Sequence, residues 1–403
     1  MKGLIQKMVT NYVYVAYQDY SGNAFLGFVD PDTNKPVASV PVGTTPPNLY
    51  PPLKVGVNPE GTRVYVSNSH LKTLFVINTV NPGIVTTIDL SSMKTSYPVE
   101  YILVTPDSLY VYLGYLNNTV AVVDAVSNQL LYSLDVSNGV KGMTTGAGHV
   151  FIATSGFGDA TLQMIVDATP IGSQTITRNI FKHVSDLYGY PWPYGGPSQL
   201  AIVKGMGGDQ IQSMNPLIIP GNGGSNNNGV GIYYSLVSNL TDSQVLTGPD
   251  IISPTVPVVL SNNTRYVTQT DGTYETPLPV LRMNGNQVIE NLTPNISAQN
   301  CIAVSPDEKW VCVTFGDQFE SSQGLVIYPV VPVGTSTPPG KVISFAQIQN
   351  GLAITSDSKY AYTLASDTRH FLNSVVLSTQ TRRQQLFMGI IHSFVASYTP
   401  YTM

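Results

Sequence analysis

The sequence predicts an all-β fold, a single β-propeller of four-stranded antiparallel blades, on two observations. Four turn-forming residues, Asp30, Asn78, Asp124 and Asp167, recur at spacings of 48, 46 and 43. Each closes a short apolar strand (25–29, 74–77, 120–123 and 162–166), and ahead of each lies an aromatic–β-branched strand (12–15, 64–66, 109–112 and 150–152). A period of roughly 40–50 residues holding several short strands is the signature of propeller blades.

One unit shows the elements in order. Strand A, 53–57, leads into Asn58-Pro59-Glu60-Gly61, a turn in which Pro presets φ and Gly allows φ > 0. Strand B, 64–66, returns; strand C, 74–77, follows; Asn78-Thr79-Val80-Asn81-Pro82-Gly83 turns the chain into strand D, 85–90. Segments this short, rich in Val, Ile, Tyr and Thr and bounded by Pro, Gly, Asn and Asp, are strands rather than helices. The same grammar places Thr105-Pro106-Asp107 before Tyr110, Ser305-Pro306-Asp307 before Trp310, Ser356-Asp357-Ser358-Lys359 before Tyr360, and Ser261-Asn262-Asn263 before Tyr266. It is faintest between 199 and 248. The acids Asp30, Asp124 and Asp167 are expected to cap C–D turns through their side chains.

Val64-Tyr65-Val66-Ser67-Asn68, the Val-Ile-Asn and Val-Val-Asp strand ends, and Pro41-Val42-Gly43 before a Pro-rich link resemble the YVTN-repeat propellers of surface-layer type. The resemblance is best over 11–136, fair over 142–176 and 300–391, and weak over 177–290. Its motifs are structural, so it implies a fold and not an activity.

The first unit, 11–43, offers strands B, C and D without an A. The alternating segment His392-Ser393-Phe394-Val395-Ala396-Ser397-Tyr398 suits that place, so a C-terminal strand is expected to close the ring in the N-terminal blade and remove its exposed edges. One domain, 1–403, then holds eight blades: 11–43 with 392–400, 53–90, 100–136, 142–176, 199–248, 256–290, 300–345 and 351–391, with a loop insertion at 177–198. Seven blades is the alternative.

Composition narrows the function. Charged residues are only 11%, against about 25% in an average soluble domain, and Tyr (24) outnumbers Lys plus Arg (19). The net charge of −5 comes with no basic stripe, which disfavours nucleic-acid binding. No apolar run approaches the ~18 residues of a membrane span, and the N-terminal residues show no apolar secretory region. Low charge with many hydroxyls and amides suits an extracellular surface or a virion; all-β repeat chains are also commonly rich in Thr, Asn and Gly.

Cys301 and Cys312 fall on neighbouring strands, and a cross-strand disulfide follows if the hairpin centres between Pro306 and Asp307; otherwise they are small buried fillers. Sequons at Asn117, Asn239, Asn262, Asn291 and Asn295 permit glycosylation in an exporting host.

In a propeller the B–C and D–A loops share one face and the A–B and C–D turns the other. Here the first set looks long and irregular, the second short, and binding residues concentrate on irregular loops held by a rigid scaffold. The binding-face candidates are Tyr17, Tyr20, Tyr50, Tyr97, Phe157, Phe181, Tyr188, Tyr190, Trp192 and Tyr194. Their rings suit protein or glycan contacts; the competing role for 181–194 is to plug the ring. The five His fall in no zinc or c-type haem motif, and no nucleophile elbow or P-loop occurs. Asp317 with Glu320, or Asp271 with Glu275, are carboxylate pairs that calcium or plain solvation would explain.

The expectation is therefore a non-enzymatic structural or binding module of an extracellular surface, filament or virion, with no cofactor, no metal, and a protein or glycan partner. The alternative is a lactonase- or lyase-type propeller enzyme with His70, His370, Asp159 and Glu275 at the axial mouth.

Overall fold

A computed structural model describes residues 11–46, 52–93, 95, 97–136, 139–146, 149–155, 160–165, 178–179, 199–203, 210–215, 230–235, 243–246, 254–260, 262, 264–269, 277–284, 287–316, 323–347, 349–365, 371–383 and 386–396. These strands form eight antiparallel sheets. Blade 1 orders Lys35–Thr44, Asn23–Asp30, Val13–Gln18 and Ile390–Ala396 from rim to axis. Blades 2 and 3 run Leu53–Val57 to Gly83–Asp89 and Val99–Val104 to Gln129–Asp135. Blades 4, 5 and 6 run Gly139–Gly146 to Arg178–Asn179, Gln199–Val203 to Ser243–Leu246, and Pro254–Val259 to Gln287–Ile296. Blades 7 and 8 run Gln299–Val304 to Lys341–Phe345 and Gln349–Ile354 to Thr381–Arg382. The strands A touch one another in sequence around the whole ring, and Ile390–Ala396 lies between those of blades 8 and 2. The fold is a β-propeller.

The C-terminal strand pairs antiparallel with Val13–Gln18 in the register Val13↔Ala396 and Gln18↔Ile390. It begins at Ile390, ahead of the expected His392, because strand B of blade 1 extends to Gln18 and needs a partner of matching length. Other boundaries also move. Strand D of blade 4 is Arg178–Asn179, inside the expected insertion and past the expected blade limit of 176. Strand D of blade 6 runs on to Ile296, past the expected limit of 290.

The core lies between blades. Val64, Val66, Phe75 and Ile77 of blade 2 join Tyr14, Phe28 and Val42 of blade 1; the alternate residues Tyr65, Leu74 and Val76 join Val111, Leu113 and Val123 of blade 3. Strands B and C are therefore buried on both faces and read as unbroken apolar runs. Strand D of blade 3 alternates half-buried and exposed residues because only one face is covered. Each buried Val or Leu contributes about 1.5–3 kcal/mol.

Turn chemistry follows the sequence. Asp30 Oδ1 accepts the Asp32 N–H, Asn78 Oδ1 those of Val80 and Asn81, and Asp124 Oδ1 those of Val126 and Ser127. Asp167 lies outside the described residues. The A–B turns share one design: Thr105, Ser305 and Thr355 each donate a hydroxyl to Asp107, Asp307 and Asp357 and accept the N–H of Tyr110, Trp310 and Tyr360.

The cysteines correct an expectation. The blade 7 hairpin centres between Asp307 and Glu308, so Cys301 lies opposite Thr314 and Cys312 opposite Ala303. Both thiols are free. Burial pushes both of them up from their ordinary value, and Cys312 fills a position that Tyr65 and Tyr362 hold in blades 2 and 8.

Candidate functional site

The two faces of the ring differ in how they are tied. On the A–B/C–D face, charged and hydroxyl side chains join neighbouring blades. Arg63 Nη1 donates to the Ala125 carbonyl at 2.6 Å, and the Ser108 hydroxyl donates to Glu60. The Asp307 N–H donates to Ser358 Oγ at 2.9 Å. Across the closure, Tyr360 donates its hydroxyl to Asp32, Tyr362 donates to Asn34, and Arg383 donates to the Pro31 and Asp32 carbonyls.

Among the described residues this face also holds a long C–D connection, 330–340, contrary to the expectation that all its turns are short. The loop is held by Arg282, whose side chain is 1% exposed. Its guanidinium donates to the carbonyls of Val331, Pro332 and Thr335 and pairs with Glu290 at 3.0 Å. Desolvation opposes ionisation of Glu290, but hydrogen bonds from Thr337 and Arg282 outweigh it and hold the carboxyl below its ordinary value. The loop survives as a rigid strap because its carbonyls are gathered on one cation. No sequence signal announced that role for Arg282.

On the B–C/D–A face, buried amides anchor loops. Asn68, the last residue of the Val-Tyr-Val-Ser-Asn motif, donates to the Val42 and Thr44 carbonyls and accepts the Leu71 N–H. Gln18 Oε1 accepts the Thr45 hydroxyl and lies 2.8 Å from His392 Nε2. Gln299 accepts the Gln269 N–H and donates to the Leu278 and Ile296 carbonyls. Loop irregularity on this face is uneven: the D–A link 297–298 is short.

Of the binding-face candidates, Tyr20 and Tyr97 stand out into solvent, 69% and 53% exposed. Tyr17 does not. It belongs to strand B of blade 1, half-buried, with its ring stacked on Phe25 at 5.4 Å and its hydroxyl 3.1 Å from Ser39 Oγ. Tyr50, Phe157, Phe181, Tyr188, Tyr190, Trp192 and Tyr194 lie outside the described residues, as do Asp159, Asp271, Glu275, Asp317, Glu320 and His370. His70 is exposed in its B–C turn. Among the sequons, Asn262, Asn291 and Asn295 are exposed, Asn117 is half-buried, and Asn239 lies outside the described residues. No group of three or more His, Cys, Asp or Glu able to hold a metal ion occurs among the described residues.

Tyr97 borders a shallow cleft between blades 2 and 3 with enclosed room of about 10 Å³, that of a single water. Leu90, Met93, Val99 and Tyr115 form apolar walls; Ser67, Asn68, Ser69, Lys72 and Thr95 supply polar groups. Ser69 Oγ accepts the Val99 N–H, and Thr95 Oγ1 accepts the Tyr97 N–H. Ser67, fully buried, leaves its hydroxyl without a partner among the described residues.

No protein-family model matches the chain, and no curated protein sequence matches it. Solved structures do. The dihydro-heme d1 dehydrogenase NirN in complex with DHE superposes with a TM-score of 0.63 at 11% identity, over 96% of this chain and 75% of that one. The Dos1 propeller gives 0.57 at 14%, covering 84% of each chain. Hydrazine synthase of Kuenenia stuttgartiensis gives 0.50 at 14%, over 88% and 92%. At such identities the likeness concerns the fold alone, and it agrees with the strand order: the chain is a β-propeller.

Proposed function

We propose that this propeller is a non-enzymatic structural or binding module of an extracellular surface, filament or virion, and that it works through the B–C/D–A face. The observation that carries the reading is the asymmetry between faces. Side chains of the A–B/C–D face are spent on joining blades (Arg63, Glu60, Asp32 and Arg383). The opposite face presents Tyr20 and Tyr97 outward on turns whose backbones are already anchored. Asp19 fixes the Tyr20 turn by accepting the N–H groups of Ser21 and Asn23 and the Asn23 amide. A rigid aromatic ring offers large contact area at small entropic cost, which is what a recognition surface needs.

Photo-crosslinking in the protein's native setting tests the proposal. A photoreactive amino acid in place of Tyr20 or Tyr97 is expected to trap a protein or glycan neighbour. The same group in place of Val126, 68% exposed on the opposite face, is expected to trap far less. Equal capture from both faces, or none from Tyr20 and Tyr97, contradicts it.

A further inference from the structure

Three of the five sequons, those of Asn262, Asn291 and Asn295, belong to one blade. Asn262 lies in the A–B turn of blade 6, between Pro254–Val259 and Thr264–Gln269, and the other two lie on its strand D, Gln287–Ile296. All three are exposed. On strand D the pleat decides this, because successive side chains of a strand point to opposite faces. Leu292 and Ile296 are buried in the core that holds Tyr266 and Val280. Glu290 is held on the same side by Arg282 and Thr337. Ile289, Asn291, Thr293 and Asn295 are therefore left facing solvent.

Attachment of a sugar takes one N–H from the Asn amide and leaves its carbonyl oxygen and second N–H in place. Each of the three residues can give up that hydrogen without losing an internal bond. Asn262 is held through Oδ1, which accepts the Thr264 N–H at 3.0 Å. Asn295 donates one N–H, to the Pro277 carbonyl at 3.4 Å. Asn291 forms no side-chain hydrogen bond with any described residue. Asn117 differs, being half-buried with its Oδ1 enclosed. A glycan also needs open space beside the chain, and a rim strand has it. Among the described residues strand D pairs with strand C alone, so its outer edge is free.

We propose that blade 6 carries N-linked glycans at Asn262, Asn291 and Asn295. This rests on the reading of the protein as part of an extracellular surface or virion, because the donor, a lipid-phosphate-linked oligosaccharide, and its transferase belong to an exporting host. In the transfer the amide nitrogen bonds to C1 of the sugar. The bond from C1 to the lipid phosphate oxygen breaks with its electron pair left on the phosphate, and a base of the transferase takes the amide proton. The sugars then cover the free edge of a 10-residue strand and the side chain of Ile289, 40% exposed beside them. An edge of that kind otherwise offers itself to a second chain.

Glycopeptide mass spectrometry of the full-length protein from its native source tests this. Hexose or N-acetylhexosamine masses are expected on the peptides that hold Asn262, Asn291 and Asn295, and the peptide that holds Asn117 is expected to be bare. Asn291→Gln with Asn295→Gln, both at exposed positions, is expected to remove the sugar of strand D, leave the circular dichroism spectrum unchanged and increase light scattering. Bare peptides at all three positions, sugar at Asn117 instead, or an undiminished glycan mass in the double variant overturns the inference. If bare protein is recovered outside the cell or in a virion, the glycans alone fall; if it is recovered bare from the cytoplasm, the surface reading falls with them.

Discussion

At the residue scale, the turns rest on backbone that most side chains avoid. The left-handed position of the A–B turns is held by Gly61 but also by Ser108, Glu308 and Ser358, at φ of 65°, 57°, 53° and 60°. In the C–D turns it is held by Asn34, Asn128 and Gln380, at 54°, 56° and 51°. Asn tolerates this region and Gln does not, because its side chain gives no local compensation. Gln380→Gly is therefore expected to stabilise the protein by about 1 kcal/mol, read as a higher urea midpoint; a lower midpoint refutes the strain. Asn68→Ala works the other way. It strips the Val42 and Thr44 carbonyls and the Leu71 N–H of their partner, at an expected cost of about 2 kcal/mol, with faster amide exchange at Leu71. Unchanged exchange there would show that the side chain does not anchor the loop.

At the element scale, the A–B turns of blades 7 and 8 carry the clearest pH signature. Desolvation works against ionised Asp307, but the Ser305 hydroxyl and Lys309 outweigh it and hold the carboxyl below its ordinary value of 3.8. Desolvation likewise opposes Asp357, and Thr355 with Lys359 outweighs it. A carboxyl whose folded value is depressed contributes stability that is complete above its unfolded value and is lost as pH falls through the folded one. The urea midpoint is accordingly expected to hold from neutrality down to about pH 4 and to drop below it. The double variant Asp307→Asn, Asp357→Asn should start lower and fall less steeply; a parallel decline would move the acid sensitivity to other carboxyls.

These turns also show how far the sequence could be read. Pro, Asp and a following aromatic locate each A–B hairpin. They do not reveal that the turn's fourth residue adopts a left-handed conformation, which moves the centre of the blade 7 hairpin one residue on and separates Cys301 from Cys312. Arg282 was silent for a related reason. Its partners are carbonyls of Val331, Pro332 and Thr335, and a carbonyl is present at every residue whatever the side chain. Tyr20 and Tyr97 were legible as loop aromatics. Tyr17 was misplaced because strand B of blade 1 runs to Gln18, past the apparent end of its apolar pattern. Ser67 looked like an ordinary strand residue, since only the surrounding geometry leaves its hydroxyl without a partner among the described residues.

At the scale of the whole molecule, the two ends of the described chain meet in one sheet. Without Ile390–Ala396, strand Val13–Gln18 would offer its inner edge for pairing, and Val13 and Val15 would lose Ile391 and Ala396 from their shared core. Truncation after Gly389 is expected to lower the thermal midpoint and produce self-association by light scattering. A monodisperse truncated protein with an unchanged midpoint would mean that closure adds nothing. The functional proposal depends on a division of roles between the two faces of this closed ring. Cryo-electron microscopy of the protein in its native setting tests it most directly. The account predicts a neighbouring chain or glycan in contact with the face that carries Tyr20 and Tyr97. A bare B–C/D–A face, with the partner seated on the A–B/C–D turns or a small-molecule substrate held at the axis, would contradict it.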